Sequence, residues 1–304
     1  MKIFTLLLLI SNVICHANLD DHLKGIDKKI ESTSIDQIDC TYLINLDHRK
    51  ERLSACMQKL LPFGIMPQRF AAIYGWNLTQ EDYWGVGLIF LPGMWYGNEQ
   101  VQIGSADGTK YDPLSSDCYG EAIFSGWLTP GALGCTLSHL SVLKDAEKNN
   151  YSTIWVLEDD IEIYENPNLL SPLIEKLNKL VGLDGWDILY TDPDYLCGID
   201  ETKNLQEQLP LKWRPDMPDL DLKSLIGRIE WGEDFYKINS RMRTHSMIIS
   251  KCGIAKILNF YRERSIFLPY DHELSMIPEI RLFGTKIEFV NCKENDSDTR
   301  ARFF

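Results

Sequence analysis

Three carboxylates stand side by side in Val156-Leu-Glu-Asp-Asp-Ile-Glu-Ile163, directly after a run of apolar residues. Adjacent carboxylates repel, so a fold leaves them in open solvent or gives them a cation to share. In an extended backbone, residues i and i+2 point to the same side. Glu158 and Asp160 are therefore expected to converge, with Asp159 facing away. Hard oxygen donors so placed suit Mn²⁺ or Mg²⁺, an ion able to bridge a nucleoside diphosphate and act as a Lewis acid on its leaving phosphate. A solvated acidic turn fits the same spacing.

The elements around the acids favour a built site. Ser152 to Leu157 reads as a β-strand delivering Glu158, Asp159 and Asp160 at its carboxyl end. Before it, Gly131 to Lys148 has helical spacing through Leu133, Leu137, Leu140 and Leu143. Earlier still, Thr41 to Leu46 reads as a buried strand, Asp47 as a cap and Arg49 to Leu61 as a helix, with Gln68 to Ile73 as a second strand. Downstream come a helix at Leu169 to Val181, a strand at Trp186 to Tyr190, and an acidic, proline-bearing stretch from Asp192 to about Asp234. A strand at His245 to Ile249, a helix near Gly253 to Arg262 and a strand near Lys286 to Val290 close the pattern. Alternating strands and helices predict an α/β sheet with ligands at its carboxyl edge.

The chain has 304 residues, 44% of them hydrophobic, enough for one large domain with a substantial core. Its net charge of −13 argues against a phosphate-backbone partner, so no nucleic acid is expected. It would also repel a nucleotide sugar unless a metal ion inverts the local sign. Residues 1–17, MKIFTLLLLISNVICHA, read as a signal peptide, so a secretory-pathway or exported protein is expected, with membrane association only if that segment is not cleaved. Residues 18–39 read as a polar leader, 40–290 as the domain, 76–130 as an aromatic-rich insertion and acceptor lid, and 291–304 as a tail. Cleavage after Ala17 leaves seven of the eight cysteines, an odd number that cannot all pair in one chain.

The motifs YLINLDHRKERL (42–53), QRFAAIYG (68–75), GALGCTLSHLSVL (131–143), VLEDDIEI (156–163) and LPYDHEL (268–274), in this order, resemble glycosyltransferase family 25. That family includes bacterial lipooligosaccharide galactosyltransferases and collagen hydroxylysine galactosyltransferases. The resemblance implies a GT-A type single domain with a mixed, mostly parallel sheet flanked by helices, and a Mn²⁺-dependent, inverting transfer. The donor is a UDP-sugar, most often UDP-galactose, and the acceptor a glycan or protein hydroxyl. A signal peptide is unexpected for bacterial members, which generally act in the cytosol.

Carried over motif by motif, Asn45, Leu46, Asp47 and Arg52 belong beside the nucleotide, where a helix amino terminus favours phosphate. Ser138 and His139 match the SH pair on the helix before the acidic strand. Arg69 and Gly75 match the second motif, Gly75 serving a tight turn. Asp271 and Glu273 match the late aspartate segment, with Asp271 expected as the general base that an inverting transfer needs. Asp298 resembles a closing motif that would complete the metal shell of Glu158 and Asp160. Trp84, Trp95 and Trp127 are candidates to stack on sugar faces. A carbohydrate-binding protein that keeps the fold without catalysis is the alternative. A glycosidase is disfavoured, because acids this close cannot flank a glycosidic bond.

Overall fold

The computed structural model describes residues 18–26, 32–89, 122–125, 128–193, 214–217, 219–225, 227–292 and 299, with the backbone of short strands at 101–104 and 110–111. In chain order the elements are β1 (Cys40–Asn45), α1 (Lys50–Leu60), β2 (Gln68–Ala71), α2 (Gln80–Val86), β3 (Leu88–Ile89), β4 (Val101–Gly104), β5 (Lys110–Tyr111), β6 (Ala122–Ser125), α3 (Pro130–Lys148), β7 (Thr153–Glu158) and β8 (Ile161–Ile163). There follow α4 (Leu170–Val181), β9 (Ile188–Tyr190), β10 (Arg228–Trp231), β11 (Phe235–Ile238), β12 (Ser246–Ser250), α5 (Lys251–Arg264), α6 (Tyr270–Leu274), β13 (Leu282–Thr285) and β14 (Val290–Cys292).

Strand periodicity builds two cores from one sheet. In β1, Tyr42 and Ile44 enter one core and Leu43 the other; in β7, Ile154 and Val156 oppose Trp155 and Leu157; in β12, Met247 and Ile249 oppose Ile248. Side chains alternate across a strand, so a sheet buried on both faces needs apolar residues at every position. Helices α3 and α5 cover the first face, and α1 and α4 the second.

The eight strands lie in the order β10-β11-β13-β9-β12-β7-β1-β2. β2, β1 and β7 pair in parallel, β12 runs antiparallel between β7 and β9, β13 is parallel to β9, and β11 is antiparallel to both β13 and β10. All but β11 and β12 therefore point the same way, giving the mixed, mostly parallel sheet of a single α/β domain. The ends of β1, β7 and β9 gather at one carboxyl edge, where ligands bind in open sheets of this kind.

Several expectations shift. The hairpin β10-β11 falls within and after the stretch read as irregular, because β10 is an edge strand with exposed Glu230 and a 57% exposed Ile229, which hides its period. The late strand lies at Leu282–Thr285 rather than Lys286 to Val290, since β13 is buried on both faces and its Leu-Phe-Gly-Thr run has no alternation. The segment read as a polar leader is docked: Leu19 joins the α3–α5 core, Ile35 and Ile38 join the second, and the Lys24 amide donates to Ser141 Oγ at 2.9 Å. The insertion contributes α2 and a small antiparallel sheet, β3-β6-β4-β5. Residues 1–17 lie outside the described residues, as do Trp95 and Trp127. Among the described residues no helix is long and apolar enough to cross a membrane.

One contact fixes the cleft wall. A Cβ on Gly75 would stand 1.7 Å from the Pro130 carbonyl oxygen, and one on Gly134 would stand 2.5 Å from the Gly75 nitrogen. The turn Gly75–Asn77 thus lies backbone-to-backbone against α3, an approach that no side chain permits. Gly75→Ala and Gly134→Ala should each cost about 2 kcal/mol or more by forced displacement. Urea unfolding measures this; an unchanged midpoint in both would show that the turn and helix are not in close contact.

Candidate functional site

The acids occupy the end of β7, where Glu158 is the last strand residue and Asp159-Asp160 form a turn into β8. That turn is anchored from α1: Cys56 Sγ donates to the Asp159 carbonyl at 3.1 Å, and Lys59 Nζ to the Ile161 carbonyl at 2.8 Å. Strand alternation stops at Glu158, so Asp159 is set by the turn and not by an extended backbone. Its carboxylate turns to the opening motif, accepting from Asn45 Nδ2 at 2.7 Å and from the Arg52 guanidinium at 3.2 Å. All three acids line one open cleft.

Asn45 organises the β1 end of this cleft. Nearly buried, it also donates to the Arg49 carbonyl at 3.0 Å and accepts from Arg69 Nε at 3.1 Å. Arg69 reaches on to Asp47 at 2.6 Å, and this bond is the main cause that holds the Asp47 carboxyl below its usual range. Asn45, Leu46 and Arg52 line the cleft; Asp47 sits beside it on Arg69.

From α3, whose amino end is capped by Thr129 Oγ1 accepting from Ala132 N at 3.0 Å, Ser138 and His139 also line the cleft. The Ser138 hydroxyl is committed to backbone, donating to the Gly134 carbonyl at 2.7 Å and accepting from Ile73 N at 2.8 Å. His139, 1% exposed, places Nε2 3.0 Å from Glu158 Oε1 and stacks on Tyr270 with centroids 4.8 Å apart. Thr244 donates to the same Glu158 oxygen at 2.7 Å. Burial alone would raise the Glu158 carboxyl, but the bonds from His139 and Thr244 outweigh it and hold the group below its usual range.

Asp160 has no such relief. Its Oδ1 is buried without a hydrogen-bond partner among the described residues, and burial, then the charge of Glu158, push its carboxyl up to about 7. A carboxylate in this position is what a hard divalent cation satisfies. Mn²⁺ or Mg²⁺ therefore fits these residues, held by Asp160 and by the Glu158 oxygen that His139 and Thr244 leave open. Asp159 is already occupied by Asn45 and Arg52. Asp298 lies outside the described residues; Thr299 beside it lines the cleft.

The two late acids part company. Asp271 sits at the start of α6, one-fifth exposed, with Oδ2 accepting from Arg243 N at 2.9 Å and Oδ1 from His272 N at 3.0 Å. Glu273 lies elsewhere than expected: it is fully buried, pairs with Arg214, and accepts from the amides of Phe267 and Leu268 at 2.9 Å each. It holds the loop before α6 rather than facing a ligand. Trp84 is exposed on α2 but does not line the cleft, whereas Tyr74 and Trp76 do.

Sequence reasoning passed over a second buried cluster at the adjacent strand ends. Asp192, just after β9, accepts from Arg241 at 2.6 Å and pairs with His245 Nε2 at 3.0 Å, while the His245 carbonyl accepts the Glu158 amide at 2.9 Å. A signal existed: Asp192 stands two residues past β9 as Asp160 stands two past β7, and polar residues at carboxyl strand ends mark sites.

The Asp160 carboxyl predicts a test. Its folded pKa lies above the unfolded value near 4, so the ionised side chain destabilises the fold above pH 7, and this penalty vanishes below about pH 4. In chelator at pH 8, Asp160→Asn should be more stable than the parent, by on the order of 2 kcal/mol, with the gap closing towards pH 4. Thermal unfolding at both pH values checks it, and a less stable variant at pH 8 would contradict the assignment.

Residues 38–273 match the family model described as glycosyltransferase family 25 (LPS biosynthesis protein). A Xenopus laevis protein named procollagen galactosyltransferase 1-B is 28% identical over 188 residues, covering 58% of this chain and 26% of its own. A glycosyltransferase 25 family member of Aedes aegypti is 25% identical over 184 residues, 60% of this chain and 26% of that one. A mouse protein named inactive glycosyltransferase 25 family member 3 is 25% identical over 170 residues, 56% and 24% of the two chains. The chain thus spans about a quarter of the length of these relatives. With the family model spanning β1 to α6 and the acidic triplet at the carboxyl end of β7, the chain belongs to glycosyltransferase family 25.

Proposed function

We propose that this chain is a Mn²⁺- or Mg²⁺-dependent inverting glycosyltransferase that moves a hexose, galactose from UDP-galactose, to a hydroxyl of a glycan or of a hydroxylysine-type protein acceptor. Residues 1–17 serve as its export signal. The observation that supports the reading is the buried Asp160 oxygen, unpartnered among the described residues, beside Glu158 in a cleft at the sheet's carboxyl edge. When bound, the ion supplies Lewis-acid stabilisation of the leaving diphosphate. Arg52 and the amino end of α1 add positive potential on the β1 side, and Tyr74 and Trp76 offer ring faces to a sugar.

In the transfer itself, the acceptor O–H gives its proton to a carboxylate, the oxygen attacks the anomeric carbon, and the bond to the diphosphate breaks. Asp271 is the carboxylate proposed for this step. Its two amide donors orient it, and a carboxylate keeps lone pairs beyond those two bonds. A second reading, sugar binding without turnover, draws on the relatives named inactive.

A donor screen, offering each UDP-sugar with Mn²⁺ and measuring UDP release, separates the two readings; no release with any donor would favour binding alone. Asp271→Asn should lower kcat roughly 10²-fold or more while UDP and Mn²⁺ affinities, read by calorimetry, stay near native. Loss of both bindings would move Asp271 to the donor side. Glu273→Gln, by contrast, should lower the unfolding temperature, since it weakens a buried ion pair with Arg214; unchanged stability with a selective kcat loss would return Glu273 to the chemistry.

A further inference from the structure

Cys135 and His139 stand one turn apart on α3, at i and i+4, so they share a helix face. One donor atom from each of Cys135, His139 and Glu158 lies within 4.8 Å of the other two, and all three side chains line the cleft. The imidazole is held in place by its stack on Tyr270, and its Nδ1 is buried without a hydrogen-bond partner among the described residues. Around the thiol lie the carboxylates of Glu158, Asp271 and Asp160, a setting that attracts a cation.

This donor set differs in kind from the oxygens of Asp160 and Glu158. Mn²⁺ and Mg²⁺ prefer oxygen, whereas one thiolate, one imidazole and one carboxylate with a fourth position open describe a site for Zn²⁺. Zinc bonds of about 2.0 Å to nitrogen and 2.3 Å to sulfur put neighbouring ligand atoms roughly 3.5 Å apart. Donor atoms within 4.8 Å of one another already stand near that separation.

We propose that Cys135, His139 and Glu158 form a second, thiophilic divalent-cation site in the cleft. On binding, the sulfur–hydrogen bond breaks, its proton goes to solvent, and the thiolate bonds the ion; nothing is oxidised or reduced. Because Glu158 is common to both sites, Zn²⁺ here competes with the hard ion at Asp160. The site itself does not depend on glycosyl transfer; its competition with Mn²⁺ rests on the functional reading above.

Co²⁺, titrated into the full chain in Mn²⁺-free buffer, reads the donor set directly. The expected result is a thiolate-to-cobalt charge-transfer band that saturates at one ion and disappears on adding Zn²⁺. Cys135→Ser should lose the band, and His139→Asn and Glu158→Gln should weaken Co²⁺ binding at least ~10-fold. Asp160→Asn, which removes an oxygen ligand only, should keep it. No band in the parent protein, or a band that survives in Cys135→Ser, overturns the proposal. Should circular dichroism show Cys135→Ser unfolded, unchanged Co²⁺ affinity in both His139→Asn and Glu158→Gln overturns it instead. Absence of any transferase activity would leave these spectra unchanged, so the two readings fail separately.

Discussion

Repulsion among three consecutive carboxylates is the constraint around which the cleft is arranged. Each acid is answered differently. Asp159 receives Asn45 and Arg52 from the β1 end, and Glu158 receives His139 from α3 and Thr244 from the segment before β12. Asp160 is left with a buried oxygen that has no partner among the described residues. Two of the three charges are thus answered by the protein, and the third by none of the described side chains.

The same edge carries a paired counterpart one strand pair away. Burial would raise Asp192, but His245 and Arg241 hold it far below its usual range. Burial would likewise lower His245, yet its bond to Asp192 raises it to about 9. A buried network of this kind adds little net stability, since desolvation offsets much of the attraction. It does fix the segment 241–245 that supplies Thr244 to Glu158 and the Arg243 amide to Asp271. Arg214 does similar work behind α6, where Glu273 ties the 267–268 backbone and so sets where the helix carrying Asp271 begins.

Backbone contact completes the wall. The close approach of Gly75 to α3 brings Tyr74 and Trp76 beside the acids, and Ser138 bonds Ile73 from the same helix. The helix that carries His139 therefore also positions the aromatic rim, and a shift in either would move both.

Local sequence determined much of this. Continuous apolar runs marked β1, β7 and β12, helical spacing marked α1, α3, α4 and α5, and the acids were legible at a strand end because hydrophobicity stops there abruptly. Edge strand β10 and buried β13 were not legible, since one exposes its apolar residue and the other is a four-residue run broken by Gly284. Only the tertiary structure decided the roles of individual acids. The turn at 159–160 aimed Asp159 at residues more than 100 positions earlier, and the fold buried Glu273 against Arg214, 59 positions away. It likewise brought Cys135 to the end of β7. Spacing fixes which way a side chain leaves its own strand or helix, but what it meets there depends on packing between elements distant in the chain.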